Sequence, residues 1–150
     1  MTSTALTIAG FDPSGGAGLQ ADLKTFSALG VTGKSVATSI TIQNTLGIKG
    51  VHDISSEVVG EQLEAVLRDG KPDAIKIGML GNESIVETVV RLLRRYRIKK
   101  LVVDPVIYSS SGKPLLSAPG IELMKKELFP ITFLLTPNLN EVEILSGIKI

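Results

Sequence analysis

The sequence contains no cysteine, which excludes disulfides and thiolate zinc sites. Histidine is almost absent as well. His52 stands alone in a polar segment, so neither a Ser-His-Asp triad nor a multi-histidine metal site is expected within these residues. With no base at hand to activate a nucleophile, the run Ser109 to Ser111 reads as a solvated loop. Charge of one sign is lacking too: 16 Lys and Arg stand against 15 Asp and Glu, a formal net charge of +1. That balance gives no support to nucleic acid or an anionic membrane as partner. No apolar run approaches the ~20 residues of a membrane span, and no charged segment leads an apolar signal core. A cytoplasmic protein is expected.

What is present is a chain of 150 residues, 43% hydrophobic and 21% charged. This describes one globular domain over residues 1–150, long enough to bury a sizeable core. Apolar and β-branched runs predict strands over 4–10, 35–44, 51–54, 73–79, 100–106 and 132–136. Helical spacing predicts helices over 18–30, 55–69, 83–96, 120–129 and 138–147. The first helix is expected to be closed by Gly30, and the second to bury Val58, Val59, Leu63, Val66 and Leu67. Strands alternating with helices indicate α/β architecture, a mostly parallel sheet covered on both faces. Ligands of such sheets gather at the carboxyl ends of the strands. Those ends carry Gly10, Gln43 and Asn44, Gly78 and Met79, Asp104 and Pro105, and Thr136 to Asn138, whereas the strand interiors read as apolar.

Two phosphate motifs occur and neither has the right context. "GAGLQA" (16–21) matches G-x-G-x-x-G/A, but "FDPSG" separates it from the strand, and the second strand ends in Gln43 and Asn44 rather than an acidic residue. "ALGVTGKS" (28–35) is a relaxed P-loop running from helix to strand, the reverse of what a phosphate-binding helix terminus requires. It reads as a helix end and turn carrying an exposed Lys34. The basic run "RLLRRYRIKK" (91–100) follows Glu83 and Glu87 on one helix and reads as a solvated face.

Several residues admit two readings. Asp22, placed near a helix start, is either dipole electrostatics or a carboxylate aimed at a substrate hydroxyl. Gln43 offers a donor and an acceptor side by side, suiting the edge of a nitrogen heterocycle, or else bonds nearby backbone. Asp104-Pro105 reads as a turn, and Asn138-x-x-Glu141 as a capping box.

The opening "LTIAGFDPSGGAGLQADLKTFSALGV" resembles the hydroxymethylpyrimidine kinase and hydroxymethylpyrimidine phosphate kinase family of thiamine biosynthesis, within the ribokinase-like superfamily. The resemblance continues in order through "QNTLGI", "KIGML", "VVDPV" with "SGKPLL", and "LLTPNLNEVEIL". It implies a ribokinase-like three-layer sandwich and phosphoryl transfer from ATP to a hydroxymethyl group, then to the resulting monophosphate. It also implies that Gln43 reads the pyrimidine edge, Asp22 engages the hydroxymethyl group, and Gly10, Met79 and Val106 form walls. Asp104 and Glu141 are implied on the magnesium and phosphate side, with Asn138 beside them on the nucleotide. The family further suggests a homodimer, and places its catalytic loop beyond Ile150. On that basis residues 1–150 are expected to be the N-terminal portion of a kinase domain lacking its C-terminal part, without significant activity alone. The alternatives are a pyridoxal kinase, whose substrate also carries a hydroxymethyl group on a heteroaromatic ring, and a catalytically silent pyrimidine-binding module.

Overall fold

The run from Leu6 to Gly10 is buried without a break, as befits a strand covered on both faces. It forms the centre of β1 (Thr4–Phe11) in a computed structural model of the protein, which describes residues 2–150. Five further strands follow: β2 (Thr32–Asn44), β3 (Gly47–Asp53), β4 (Ala74–Ile77), β5 (Leu101–Val103) and β6 (Leu134–Leu135). They make one six-stranded sheet in the order β3-β2-β1-β4-β5-β6. Every neighbouring pair is parallel except β2–β3, an antiparallel hairpin at one edge.

Helix α1 (Gly18–Ala28) links β1 to β2 and packs on both. Helices α2 (Ser56–Asp69), α3 (Glu83–Arg95) and α4 (Ala118–Leu123) lie side by side, and α5 (Leu139–Ser146) follows β6. From β1 the chain steps first toward β2 and later to β4 on the other side. Right-handed crossovers therefore place α1 on one face and α2 to α4 on the other. The predicted α/β sandwich is the observed one, with a topological switch point between β1 and β4.

The core lies on the α2–α3 face, where Leu6 and Ile8 of β1 and Ile75 and Ile77 of β4 meet Leu63, Ile85 and Val89. Each of these side chains is at most 1% exposed, and full burial contributes roughly 1.5–3 kcal/mol apiece. Leu63→Ala would leave a cavity here at a cost of about 2–5 kcal/mol. The caps are local. Ser55 accepts from the Val58 amide at the head of α2, and Asn82 from Ile85 at the head of α3. Gly30, at φ 70°, ends α1 with paired reverse bonds, Gly30 N–H to Ser27 and Val31 N–H to Phe26.

Four expectations are corrected. Val58 is exposed, because one residue's rotation from Val59 takes it off the Val59–Leu63–Leu67 stripe. Strand β5 stops at Val103, since the Val106 amide bonds back to the Asp104 carbonyl around Pro105. The predicted helix over 120–129 begins earlier, capped by Ser117, and passes through a π-helical turn (Met124–Leu128) into a 3-10 turn (Phe129–Ile131). Pro130 has no amide hydrogen to carry an α-helix further. Strand interiors are also not uniformly apolar: Thr7, Thr38, Ser39 and Thr41 are all buried. Their hydroxyls are partnered, Thr38 donating to the Met79 carbonyl at 2.6 Å and Thr41 to that of Phe11 at 3.0 Å.

Candidate functional site

A cavity of about 690 Å³ opens at the carboxyl ends of β1 and β4, at the switch point. The glycine-rich segment 12–18, the β2–β3 hairpin and the loop 106–111 enclose it. Two register shifts sit beside it, one between Ala9 and Phe11 and one between Ile42 and Gln43, and such bulges re-aim neighbouring side chains. Six of the eight residues singled out in the sequence line this cavity: Gly10, Asp22, Gln43, Met79, Asp104 and Val106. Asn138 and Glu141 line an adjoining cavity of about 430 Å³, which shares Tyr108, Ser109 and Ser110 with the first.

The glycine-rich loop is organised from within by Asp12, which sequence reasoning missed. Its carboxylate accepts from the amide and hydroxyl of Ser14 and from the amides of Gly16 and Ala17, at 2.7–3.0 Å. Burial works against this charge, yet the Ser14, Ala17 and Gly16 donors prevail and hold the carboxyl below its ordinary range. The Gly15 amide is taken by the Asp12 carbonyl. The Gly16 and Ala17 amides that open "GAGLQA" are thus spent inside the loop and are not offered to a phosphate. The available signal was "DPSGG", an aspartate ahead of small residues with exposed amides.

Asp22 lies in the second turn of α1, beyond the reach of the helix dipole, so dipole electrostatics does not account for it. Its Oδ2 accepts from the Thr7 hydroxyl at 2.6 Å and from the Lys76 ammonium at 2.9 Å. Thr7 and Lys76 are register partners on β1 and β4, on the sheet face opposite the Leu6–Ile8–Ile75–Ile77 core. Lys76 also lines the cavity and was missed. The polar residue alternating with isoleucines in "AIKI" was its only trace.

Gln43, half-buried at the end of β2, has its Oε1 3.3 Å from the Thr41 hydroxyl, the same hydroxyl that lies 3.0 Å from the Phe11 carbonyl and has one proton to share between them. Among the described residues the Gln43 amide nitrogen has no partner, so a ligand edge has a donor to meet. At Gly10 an added β-carbon would stand 2.9 Å from Ser39 Oγ and 3.2 Å from Met79 Sδ, so only glycine leaves that wall open.

Burial raises the Asp104 carboxyl, and Asp22 adds to the rise while Lys76, 4.0 Å away, opposes it. Glu141 is raised by burial, with the Asn138 amide opposing and Asp104 adding. Glu141 also completes a capping box with Asn138, Asn138 N–H to Glu141 at 2.9 Å and Glu141 N–H to Asn138 at 3.0 Å. Asp104 thus hinders the ionisation of Glu141, and a bound cation beside the two carboxylates would relieve that. Among the described residues no group of three or more His, Cys, Asp or Glu is placed to hold a metal. A pair fits magnesium better than a closed cage, because magnesium keeps waters and shares substrate phosphates.

The remaining candidates are placed as follows. Ser109 to Ser111 are not merely solvated, since all three line the cavity. His52 sits exposed on β3, away from it. Lys34 belongs to β2 and pairs with Asp69 of α2 at 2.9 Å, near the amino end of the strand and so opposite the cavity. Among the described residues no helix is long and apolar enough to cross a membrane.

The chain is 45% identical over 146 residues to the hydroxymethylpyrimidine/phosphomethylpyrimidine kinase of Bacillus subtilis, covering 97% of this chain and 54% of that protein. It is 51% identical over 137 residues to the Escherichia coli enzyme of the same name, covering 91% and 52%. It therefore spans about half the length of the curated relatives it matches. Among solved structures it superposes on phosphomethylpyrimidine kinase from Clostridium difficile with a TM-score of 0.92 at 49% identity, covering 99% of this chain and 64% of that one. Pyridoxal kinase from Staphylococcus aureus, in complex with AMP-PCP and pyridoxal, gives 0.85 at 39%, covering 98% and 52%. The fold is thus that of the ribokinase-like kinases. Since the family model described as phosphomethylpyrimidine kinase matches residues 12–150, from the Asp12 loop through the capping box at Asn138, the chain belongs to the phosphomethylpyrimidine kinase family.

Proposed function

We propose that the protein phosphorylates 4-amino-5-hydroxymethyl-2-methylpyrimidine and then its monophosphate, with ATP as donor, in thiamine biosynthesis. The carrying observation is that one cavity holds both a carboxylate oriented by Thr7 and Lys76 and an amide with an unused donor, Asp22 and Gln43. Gln43 pairs with the pyrimidine edge, Asp22 accepts from the hydroxymethyl group, and Gly10, Met79 and Val106 form the walls. Asn138 lies toward the nucleotide. Asp104 and Glu141 hold magnesium, which supplies charge neutralisation at the phosphates. The Ile40 and Ile42 side chains, half-exposed on the face of β2 beside the edge strand β3, support a homodimer through the β2–β3 hairpin face. We place the protein in the cytoplasm, where its substrates and ATP meet.

A second reading, pyridoxal kinase, is favoured by the similarity to the pyridoxal-bound Staphylococcus aureus structure. The test is ATP-dependent phosphate transfer by the protein in its native length, with both compounds in parallel. A higher kcat/KM for the pyrimidine, followed by turnover of the monophosphate, is expected. Preference for pyridoxal would support the second reading, and turnover of neither would overturn both.

A further inference from the structure

The cavity is lined by the carboxylates of Asp22 and Asp104 and, among the described residues, by one basic side chain, that of Lys76. Two other lysines stand near its rim with their ammonium groups engaged. Lys24 donates to the Gly15 carbonyl at 2.8 Å, and Lys113 donates to the carbonyls of Ile48 and Lys49. Asp12, the remaining acid on the cavity wall, is saturated by its own loop.

Lys76 lies between the two carboxylates, 2.9 Å from Asp22 Oδ2 and 4.0 Å from Asp104 Oδ2. Its side chain keeps 24% of its surface exposed. Asp22 does not depend on it alone, because the buried Thr7 hydroxyl holds the same oxygen at 2.6 Å. Lys76 is therefore free to exchange partners without releasing Asp22.

The proposed reaction pair makes opposite demands on this cavity. The first substrate presents a neutral hydroxyl. The second presents a phosphate monoester carrying about −1.5 to −2 charges at neutral pH. Beside Asp22 and Asp104 that phosphate is repelled unless a cation meets it. We propose that Lys76 is the residue that admits the monoester, its ammonium moving from the Asp22 carboxylate to the substrate's phosphate and orienting it for the second transfer. In that transfer an oxygen of the ester phosphate bonds to the γ-phosphorus of ATP. The bond from that phosphorus to the β,γ-bridging oxygen breaks, and its electron pair leaves with ADP. The dianionic ester has no proton to surrender, so this step relies on Lys76, whereas acceptance of the hydroxyl relies on Asp22.

The inference rests on the pyrimidine reading, and the experiment separates the two. Affinities for hydroxymethylpyrimidine and for its monophosphate are measured by calorimetry on the wild type, K76M and K76R, with kcat/KM for each half-reaction. Loss of a charged hydrogen bond predicts that K76M shifts the ratio of the two affinities against the monophosphate by roughly 10- to 100-fold. K76R is expected to restore most of that ratio. In the wild type, monophosphate binding is expected to weaken with added salt far more than binding of the alcohol. This last measurement, with K76R, decides the matter should K76M fail to fold. Equal losses for both ligands, a K76R variant indistinguishable from K76M, or salt-insensitive monophosphate binding would overturn the proposal. A wild type that binds neither pyrimidine would instead overturn the functional reading beneath it.

Discussion

Gly18 packs against the Gly10 carbonyl so closely that a β-carbon on Gly18 would overlap its oxygen. The contact seats the start of α1 on the end of β1 and so brings Asp22, one turn further on, over Thr7 and Lys76. Gly18 also has φ 57°, in the left-handed region that side chains rarely adopt.

Gly18→Ala is expected to cost more stability than Gly30→Ala. Gly30 has a similar φ of 70° but open space where a β-carbon would go, so only backbone strain of roughly 1–2 kcal/mol applies there. At Gly18 steric overlap with backbone is added to that strain. Urea midpoints of the two variants provide the check, and equal shifts would show that the loop yields without resistance.

Gln43→Leu removes the unpartnered amide from the cavity wall. Pyrimidine binding should weaken by roughly 1–3 kcal/mol, the cost of leaving a ligand's polar edge unpaired. Calorimetry on the folded variant tests this, and unchanged affinity would remove Gln43 from the site.

Asp12→Ala deletes the acceptor that organises the glycine-rich loop. A loss of roughly 2–4 kcal/mol is expected, since hydrogen bonds to a charged group are worth about 1.5–3 kcal/mol each and partly compensate with water. Because Asp12 is held below its ordinary range, its contribution is present above the unfolded carboxylate value and lost as pH falls through the folded one. Melts of wild type and variant should therefore converge in acid. A gap that persists at low pH would mean that packing, not the carboxylate, is responsible.

Asp104→Asn is expected to act in the opposite sense. Burial raises this carboxyl, so its contribution is favourable below the unfolded value and is lost as pH rises through the folded one. The variant should match or exceed wild-type stability at neutral pH, with any gain shrinking in acid, while magnesium-dependent binding of ATP declines. Thermal melts across pH with and without magnesium test both halves. A variant that is destabilised at neutral pH and binds magnesium-ATP normally would contradict the assignment.

Lys34→Ala should leave ATP affinity and turnover nearly unchanged, because Lys34 pairs with Asp69 at the far end of β2. The stability cost of losing this exposed pair is about 0–1 kcal/mol. A fall in turnover approaching a hundredfold in the folded variant would show that the P-loop-like motif is functional after all.

The sequence by itself determined whatever depends on near neighbours along the chain. Alternating periodicities predict the strand and helix order, the glycine at the end of α1 predicts its reverse bonds, and the Asn138-x-x-Glu141 spacing predicts the capping box that forms. It also carried the strand-end positions, so Gly10, Gln43, Met79 and Asp104 meet in one cavity as soon as the sheet is built. Tertiary structure alone decided what crosses between strands. Thr7 reaches Asp22 over 15 residues of sequence and Lys76 reaches it over 54, through a parallel register that no local pattern specifies. Asp12 likewise became a hub only because the loop folds back over its carboxylate and buries it. The physical reason is the same in each case. Caps and periodicity are set by backbone geometry within a few residues, whereas a buried charge is satisfied by whatever the sheet order and the crossovers bring beside it.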